Sequence, residues 1–209
     1  MATTYVKADE RRRLLVAAAR RVLGRQGVAG ATLRAVAAEA GVALGTVHYA
    51  FPSKEELLKA VLQDVVEDAS GIMREASETV EGLEPAMLEA ARSVWSRLVD
   101  ADPREQLMQY ELSIWALRTA GMADLARWQY DRYIDLITGH WQQVAARAGV
   151  TLSVPAEELA RLQLAGADGL LLQYLASRDA EQTLKDLQTL IRLLVGYAAP
   201  VPAGDPAGP

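Results

Sequence analysis

Hydrophobic residues recur at intervals of three and four along almost the whole of this chain, which is the spacing of amphipathic helices. Glycine and proline interrupt the pattern, and the segments between them predict about nine helices. The first is expected from Glu10 to Gly27. The fourth is expected to open at Ser53, which forms a capping box with Glu56, and to continue to about Val80. The expected fold class is therefore all-α.

Five further helices are expected in the second part of the chain, each bounded by glycine, proline or a polar cap. Their expected ranges are 85–99, 102–119, 123–148, 155–177 and 180–197. The residues that follow, 199–209, are rich in proline and glycine, and this composition predicts a disordered tail.

The segment from Thr32 to Lys54 contains two short predicted helices separated by Gly41. A sharp turn between helices needs a residue that tolerates positive φ, and glycine does so without steric cost. Val42 follows as the apolar residue that packs between the two helices. The pattern indicates a helix-turn-helix, whose second helix, at about 43–50, can enter the major groove of DNA.

A longer set of residues extends this helix-turn-helix into a more specific pattern. It comprises Thr32, the AxxAGV core from Ala37 to Val42, Gly45-Thr46, Tyr49, Phe51 and Ser53-Lys54-Glu55. With these residues the chain resembles the TetR family of transcriptional regulators. The resemblance implies a helix-turn-helix DNA-binding domain of three helices over residues 9–68. It also implies a larger helical domain over 69–198 that binds an effector and forms a homodimer.

The resemblance implies which residues contact DNA. They are Thr32, Arg34, Ala43, Leu44, Gly45, Thr46, His48, Tyr49 and Lys54. Thr32, Thr46, Tyr49 and Lys54 are expected at backbone phosphates, and the others of the second helix near base edges. The chain departs from the family pattern at Ala43 and Leu44, where serine and a polar residue are common. Such apolar side chains contact thymine methyl groups rather than hydrogen-bonding groups. His48 is either a base contact or a solvated surface histidine.

Aromatic residues cluster in the sixth and seventh predicted helices. Aromatic side chains at helical spacing usually belong to a protein core. A cavity lined by aromatic side chains and a few polar groups is, however, also what a small-molecule site needs. The family places its effector pocket among these central helices. On this interpretation the ligand-binding candidates are Tyr110, Glu111, Trp115, Trp128, Tyr133, His140 and Trp141.

The last two predicted helices carry more apolar surface than one thin helical body covers. In the family this pair of helices meets its copy in a four-helix interface around a two-fold axis. The residues expected there are Leu162, Gly166, Gly169, Leu170, Leu187, Ile191 and Leu194. The alternative is that both helices complete the core of a single chain.

Charge and composition narrow the classes of function. Residues 1–60 carry a net charge of +5 and residues 61–209 a net charge of −10, which favours a nucleic-acid contact at one end. Cysteine is absent and the two histidines are far apart, so neither a metal site nor a cofactor is expected. No signal peptide precedes the first helix and no apolar run reaches the roughly 18 residues of a membrane span. We therefore expect a cytoplasmic protein with no membrane partner.

The leading hypothesis is a dimeric DNA-binding regulator, a repressor that binds a palindromic operator and responds to a small-molecule effector. One alternative is a DNA-binding dimer without an effector. A second is an all-α enzyme, for which the only acid–base candidates are Glu111 and His140. The sequence shows no serine–histidine–acid grouping, phosphate loop or dinucleotide fingerprint, so an enzyme is not expected.

Overall fold

The computed structural model describes residues 2–76, 80–100 and 103–202, and within these ranges the chain forms nine α-helices and one two-stranded sheet. The helices are α1 (Ala2–Gly30), α2 (Leu33–Ala40), α3 (Leu44–Ala50), α4 (Lys54–Ala76), α5 (Leu83–Asp100), α6 (Pro103–Arg118), α7 (Ala123–Arg147), α8 (Ala156–Ser177) and α9 (Ala180–Ala198). The strands are β1 (Val150–Thr151) and β2 (Val201–Pro202). The expected all-α fold class is confirmed.

The structure departs from the expected helix boundaries at both ends of α1, which begins at Ala2 rather than at Glu10. The sequence predicts that Gly27 ends this helix and that a loop follows. In the structure Gly27 has φ 66° and ψ 180°, a backbone conformation that is open essentially only to glycine, and it kinks the chain. Helical turns then resume and continue to Gly30. Most of the predicted loop is therefore a short helical segment, which Gly27 separates from the rest of α1 by a kink.

A smaller difference concerns α4, which the sequence extends to about Val80. The helix is described to Ala76, residues 77–79 lie outside the described residues, and Val80 lies outside any helix. The first turn of α4 forms as expected, because Ser53 Oγ accepts a hydrogen bond from Glu56 N at 3.2 Å.

The described residues divide into two compact units. Unit 1 comprises those within Met1–Asp68 and Asp102–Gln129. Its core contains apolar side chains from α1, α2, α4 and α6 and from the residue that follows α3. Examples, in that order, are Leu15, Val36, Leu58, Leu112 and Phe51. Both α2 and α6 pack against α1. The predicted boundary at residue 68 remains a prediction, and the unit that holds α2 and α3 also includes α6 and the start of α7.

Unit 2 comprises the described residues within Ala69–Ala101 and Tyr130–Pro209. Its core lies where α9 packs against both α5 and α8. Trp95 of α5 meets Tyr174 of α8 edge to face, with the ring centroids 4.9 Å apart. Trp141 of α7 is completely buried, and its indole nitrogen donates to Gln163 Oε1 at 2.8 Å. The aromatic residues of this unit therefore supply much of its packing.

The sheet was not expected from the sequence. β1 and β2 pair antiparallel, with Val150 opposite Pro202 and Thr151 opposite Val201. Ser153 Oγ also donates to the carbonyl of Ala199 at 2.8 Å. Residues 199–202 of the predicted disordered tail are thus ordered, whereas 203–209 lie outside the described residues. Two-residue strands are too short to show an alternating pattern, which is why sequence reasoning missed them.

Among the residues that the structure describes, no helix is long and apolar enough to cross a membrane.

Candidate nucleic-acid interface

The turn between α2 and α3 has the geometry that the sequence predicts. Thr32 caps α2, because its Oγ1 accepts from Ala35 N at 3.1 Å. Gly41 is left-handed, with φ 66° and ψ 32°, and its N–H caps the end of α2. Val42 N donates to Ala37 O at 3.0 Å, which folds the chain back before α3 begins. These contacts fix the angle between the two helices.

The two faces of α3 differ sharply. Val47 is completely buried, and Phe51, which follows the helix, is also buried in the core of unit 1. On the opposite face Gly45, His48 and Tyr49 are exposed, and the Tyr49 side chain is 84% exposed. The Tyr49 hydroxyl is therefore free to reach a backbone phosphate, and the absence of a side chain at Gly45 allows close approach of another molecule.

Leu44 and Thr46 differ from the outward orientation that the sequence predicts for the second helix. Both are half-buried, and Leu44 packs against the core of unit 1. Leu44 opens α3 behind Ala43, which adopts an extended backbone and gives the helix no side-chain cap. Part of the Leu44 side chain therefore stabilises the helix-turn-helix, and only the rest is presented to solvent.

Lys54 also has a partner within the protein. Its ammonium donates to the carbonyl oxygen of Val28 at 2.5 Å, between the start of α4 and the segment that joins α1 to α2. An ammonium has three donors, so this bond leaves others for a phosphate. Arg34 and Thr32 are exposed at the start of α2.

Arg12 is a residue of this region that sequence reasoning missed. Its Nη1 donates to the carbonyl of Ala50, the last residue of α3, at 3.1 Å. Its guanidinium also lies 4.3 Å from the centroid of the Phe51 ring. A cation at the C-terminus of a helix is favourable, so Arg12 holds the end of α3 against α1. The sequence shows only an arginine run, Arg11 to Arg13, and nothing distinguishes its middle member.

Several of the basic residues that give the first segment its positive charge are paired inside unit 1. Arg20 donates to Asp64 at 2.7 Å and to Asp68 at 2.5 Å, both on α4. Burial lowers the pKa of Arg20, but the hydrogen bonds to Asp68 and Asp64 outweigh this effect and raise it. These arginine charges link helices, and the charge available to DNA comes from the exposed residues.

Glu39 of α2 makes a second such link. Arg21 of α1 donates to one of its carboxylate oxygens at 2.7 Å, and Arg25 donates to the other. The bonds from Arg21 and Arg25 lower the pKa of Glu39. The helix-turn-helix is therefore fastened to α1 at both ends, by this pair of ion pairs at α2 and by Arg12 at α3.

The structure divides the seven ligand-binding candidates between the two units. Tyr110, Glu111, Trp115 and Trp128 belong to unit 1, and Tyr133, His140 and Trp141 to unit 2. Trp115 and Trp128 are half-buried and pack against the core of unit 1. Glu111 Oε2 accepts from Val28 N at 3.2 Å. The pocket assignment of these residues remains a prediction.

His140 of α7 is the buried polar candidate of unit 2. The residue is 5% exposed, and its Nε2 has no hydrogen-bond partner among the described residues. Burial, and to a smaller extent the charge of Arg147, lower the pKa of His140 to about 4. The imidazole is therefore neutral at physiological pH and offers one nitrogen to an incoming group.

The residues expected at the dimer interface also fall into two groups. Leu187, Ile191 and Leu194 are buried in the core of unit 2. Gly166 faces α9, because a Cβ there would lie 2.5 Å from Cδ2 of Leu190. The other expected residues, Leu162, Gly169 and Leu170, are exposed or half-buried.

The open surface of α8 is larger than the sequence suggests. From residue 161 to residue 173 this helix carries no buried position, although most of its residues are apolar. A Cβ at Gly169 would meet nothing within 4 Å. Leu172 of α8 and Leu193 and Tyr197 of α9 are exposed as well, and sequence reasoning missed these three.

These features define the class of the protein. A short helix-turn-helix with one buried and one exposed face lies in the first unit of an all-α chain, and basic side chains surround it. This is a helix-turn-helix DNA-binding protein.

Comparisons with known proteins identify the family. The model for bacterial regulatory proteins of the tetR family matches residues 15–61. The nicotine-responsive transcriptional repressor HdnoR of Paenarthrobacter nicotinovorans is 34% identical over 185 residues, 87% of this chain and 92% of that protein. The regulator TtgR of Pseudomonas putida is 28% identical over 88% of this chain and 90% of its own length. The chain belongs to the TetR family and is a DNA-binding transcriptional regulator.

A solved structure agrees with this assignment. The multidrug binding protein EbrR, determined with ethidium, superposes with a TM-score of 0.64 at 30% sequence identity. The match covers 86% of this chain and 98% of EbrR.

Proposed function

We propose that this protein is a homodimeric repressor in the cytoplasm that binds a palindromic operator and is released from it by a small aromatic nitrogen compound. The observation that carries the DNA-binding part is α3, which buries Val47 and exposes Gly45, His48 and Tyr49. A helix of this kind enters the major groove with its exposed face towards the base edges.

The proposed contacts follow from the geometry around α3. Tyr49, Thr46, Lys54 and the N-terminus of α2 at Thr32 hold backbone phosphates, which fix the register of the protein on the duplex. In this proposal Ala43, Leu44, Gly45 and His48 face base edges, and Arg34 adds a contact from the first turn of α2. Direct hydrogen-bonded readout is limited to His48, so apolar contact with thymine methyl groups supplies part of the sequence preference.

The homodimer rests on the open face of α8. Apolar and small residues are left uncovered there, including Leu162, Gly169 and Leu172, and Leu193 and Tyr197 of α9 add to them. Apolar surface of this extent on a soluble protein marks a contact with another protein. A second copy on this face would provide the two recognition helices that a palindrome with half-sites roughly 34 Å apart requires.

The effector class is supported by the relatives and by one residue of unit 2. HdnoR is nicotine-responsive by name, and EbrR was solved with ethidium, so both are connected with aromatic nitrogen compounds. In this chain the neutral and unpartnered Nε2 of His140 is a buried group that such a compound would satisfy. Aromatic residues nearby in the sequence, Tyr133 and Trp141, supply apolar surface in the same unit.

A second candidate is a DNA-binding dimer without an effector. It is favoured by the complete burial of Trp141 and its bond to Gln163, which are properties of a core residue. Titration of the full chain with nicotine in a calorimeter separates the two candidates. Heat of binding that disappears in His140→Leu supports the effector, and no heat from nicotine or from a panel of related amines supports the second candidate.

Operator binding is tested by selecting duplexes from a random pool with the full chain and measuring dissociation constants by fluorescence anisotropy. Tyr49→Phe should weaken all duplexes alike, and Lys54→Ala should also reduce the slope of log affinity against log salt by about 0.9. Leu44→Ala should instead change which duplexes are preferred. If the wild type enriches no sequence, or if Leu44→Ala leaves every base preference unchanged, the placement of α3 in the groove is wrong.

A further inference from the structure

At the junction between α1 and α2, a side chain of α6 reaches the backbone next to the helix-turn-helix. Gly27 turns the chain there with φ 66°, and the four residues that follow lead directly to Thr32, the cap of α2. Ala31 N donates back to Gly27 O at 3.2 Å, and Thr32 N donates to Gly30 O at 2.8 Å. The position of this short segment therefore sets the position of the N-terminus of α2.

Two side chains from different helices hold the same residue of this segment, Val28. Glu111 of α6 accepts from Val28 N at 3.2 Å, and Lys54 of α4 donates to Val28 O at 2.5 Å. Glu111 also lies close to Gly27, because a Cβ at that glycine would be 2.9 Å from Glu111 Oε2. Glycine thus lets the carboxylate approach the backbone. The backbone N–H and C=O of Val28 are both satisfied by side chains of other helices.

Apart from its contact with the backbone of Gly27 and Val28, no interaction within the described part of unit 1 explains a carboxylate at Glu111. Its side chain is exposed, and no ion pair is found for it among the described residues. An exposed carboxylate near a DNA-binding surface is electrostatically unfavourable for binding DNA, because it repels the phosphates. The hydrogen bond to Val28 gives a reason for a carboxylate at this position.

We propose that Glu111 is a positioning residue for operator binding, which acts by holding the Val28 backbone so that Thr32 and Lys54 face the phosphates. This rests on the proposed function, since it concerns the affinity for an operator. Glu111 itself does not touch DNA. It fixes the segment that carries the N-terminal cap of α2, and Lys54 is fixed by the same residue from the other side.

The sign of the effect separates this role from simple electrostatics. Removal of a negative charge from unit 1 should strengthen DNA binding if charge alone matters. Loss of the hydrogen bond to Val28 should weaken it. Glu111→Gln removes the charge and keeps an acceptor oxygen at the same reach, whereas Glu111→Asp keeps the charge and shortens the side chain by one methylene. Glu111→Ala removes both.

The experiment measures dissociation constants of these full-chain variants for the duplex that the wild type selects from a random pool. Glu67→Ala is the matched control, because Glu67 is an exposed carboxylate of α4. We expect Glu111→Ala and Glu111→Asp to bind about fivefold more weakly than the wild type. We expect Glu111→Gln to bind within about twofold of the wild type, and Glu67→Ala to bind as tightly or more tightly.

Three results would overturn the proposal. The first is that all Glu111 variants bind as tightly as Glu67→Ala, and the second is that Glu111→Gln is as weak as Glu111→Ala. The third is a lowered thermal midpoint with unchanged dissociation constants, which is the signature of a role in stability alone. If the wild type selects no duplex, the proposed function fails first, and this outcome is distinct from the other three.

Discussion

His140 makes the free energy of unfolding depend on pH in a window where no other described group with a shifted pKa titrates. Its pKa is about 4 in the folded protein, against an ordinary value of 6.5, because burial disfavours the imidazolium. A group whose pKa is lowered by folding stabilises the protein fully above its unfolded pKa. That contribution is lost as the pH falls from 6.5 towards 4.

The size of the loss follows from the two pKa values. Each unit of difference corresponds to about 1.4 kcal/mol, so the free energy of unfolding should fall by about 2 kcal/mol between pH 7 and pH 5 and about 3 kcal/mol by pH 4. Carboxylates with lowered pKa, such as Glu39, lose their contributions only below their ordinary value of 4.5. The interval from pH 7 to pH 5 therefore isolates the histidine.

The assay is urea unfolding followed by tryptophan fluorescence at pH 7, 6 and 5, at one fixed protein concentration because a dimer links stability to concentration. His140→Gln is the matched variant, since its amide is polar and does not titrate. The wild type should lose about 2 kcal/mol over this interval and the variant almost none. Parallel losses in the two proteins, or no loss in the wild type, would refute the argument that His140 is buried in its neutral form.

Three further predictions concern backbone, interface and recognition helix. Gly27→Ala should lower the free energy of unfolding by about 1–3 kcal/mol in urea titrations, because its backbone angles are closed to alanine; a loss under about 0.5 kcal/mol would contradict the strain. A Cβ at Gly169 would meet nothing within 4 Å, so Gly169→Leu should halve the mass in sedimentation by splitting the proposed dimer, while the circular dichroism stays intact. A Cβ at Gly166 would lie 2.5 Å from a leucine of α9, so Gly166→Leu should destabilise the fold. Arg12→Ala removes the hydrogen bond to Ala50 and should raise the dissociation constant for the operator about fivefold. An unchanged dissociation constant would mean that Arg12 does not position α3.

Features that depend on neighbouring residues could be predicted from the sequence. The left-handed Gly41, the packing of Val42 and the cap at Ser53 follow from local chemistry within a few residues, and the structure has all three. Helix number and fold class follow from periodicity in the same way. The sequence predicts that Gly27 ends the helix, because a glycine at the end of a helical pattern usually does so. The short helical segment beyond the kink could not be foreseen from this rule.

Features that depend on distant residues could not be predicted. Arg12 and Ala50 are 38 residues apart, and Glu111 and Val28 are 83 apart, so no local pattern connects them. Glu111 is a ligand-binding candidate in the sequence because it lies one turn from Trp115, and that spacing gives no sign of its contact with Val28. Leu44 depends on both near and distant residues. Its place in the motif indicates an exposed side chain, but packing against the core of unit 1 covers part of it.

The DNA-reading helices α2 and α3 share their compact unit with a helix that lies much later in the sequence. Unit 1 includes α6, although α5, which precedes α6 in the sequence, belongs to unit 2. A chimera that joins the first 68 residues to the body of a relative would leave behind Leu112 of the core and the carboxylate that holds Val28. A chimera that exchanges both stretches of unit 1 together would keep these contacts. We therefore expect new combinations of operator and effector to arise more readily by point substitution on α3 than by exchange of residues 1–68 alone.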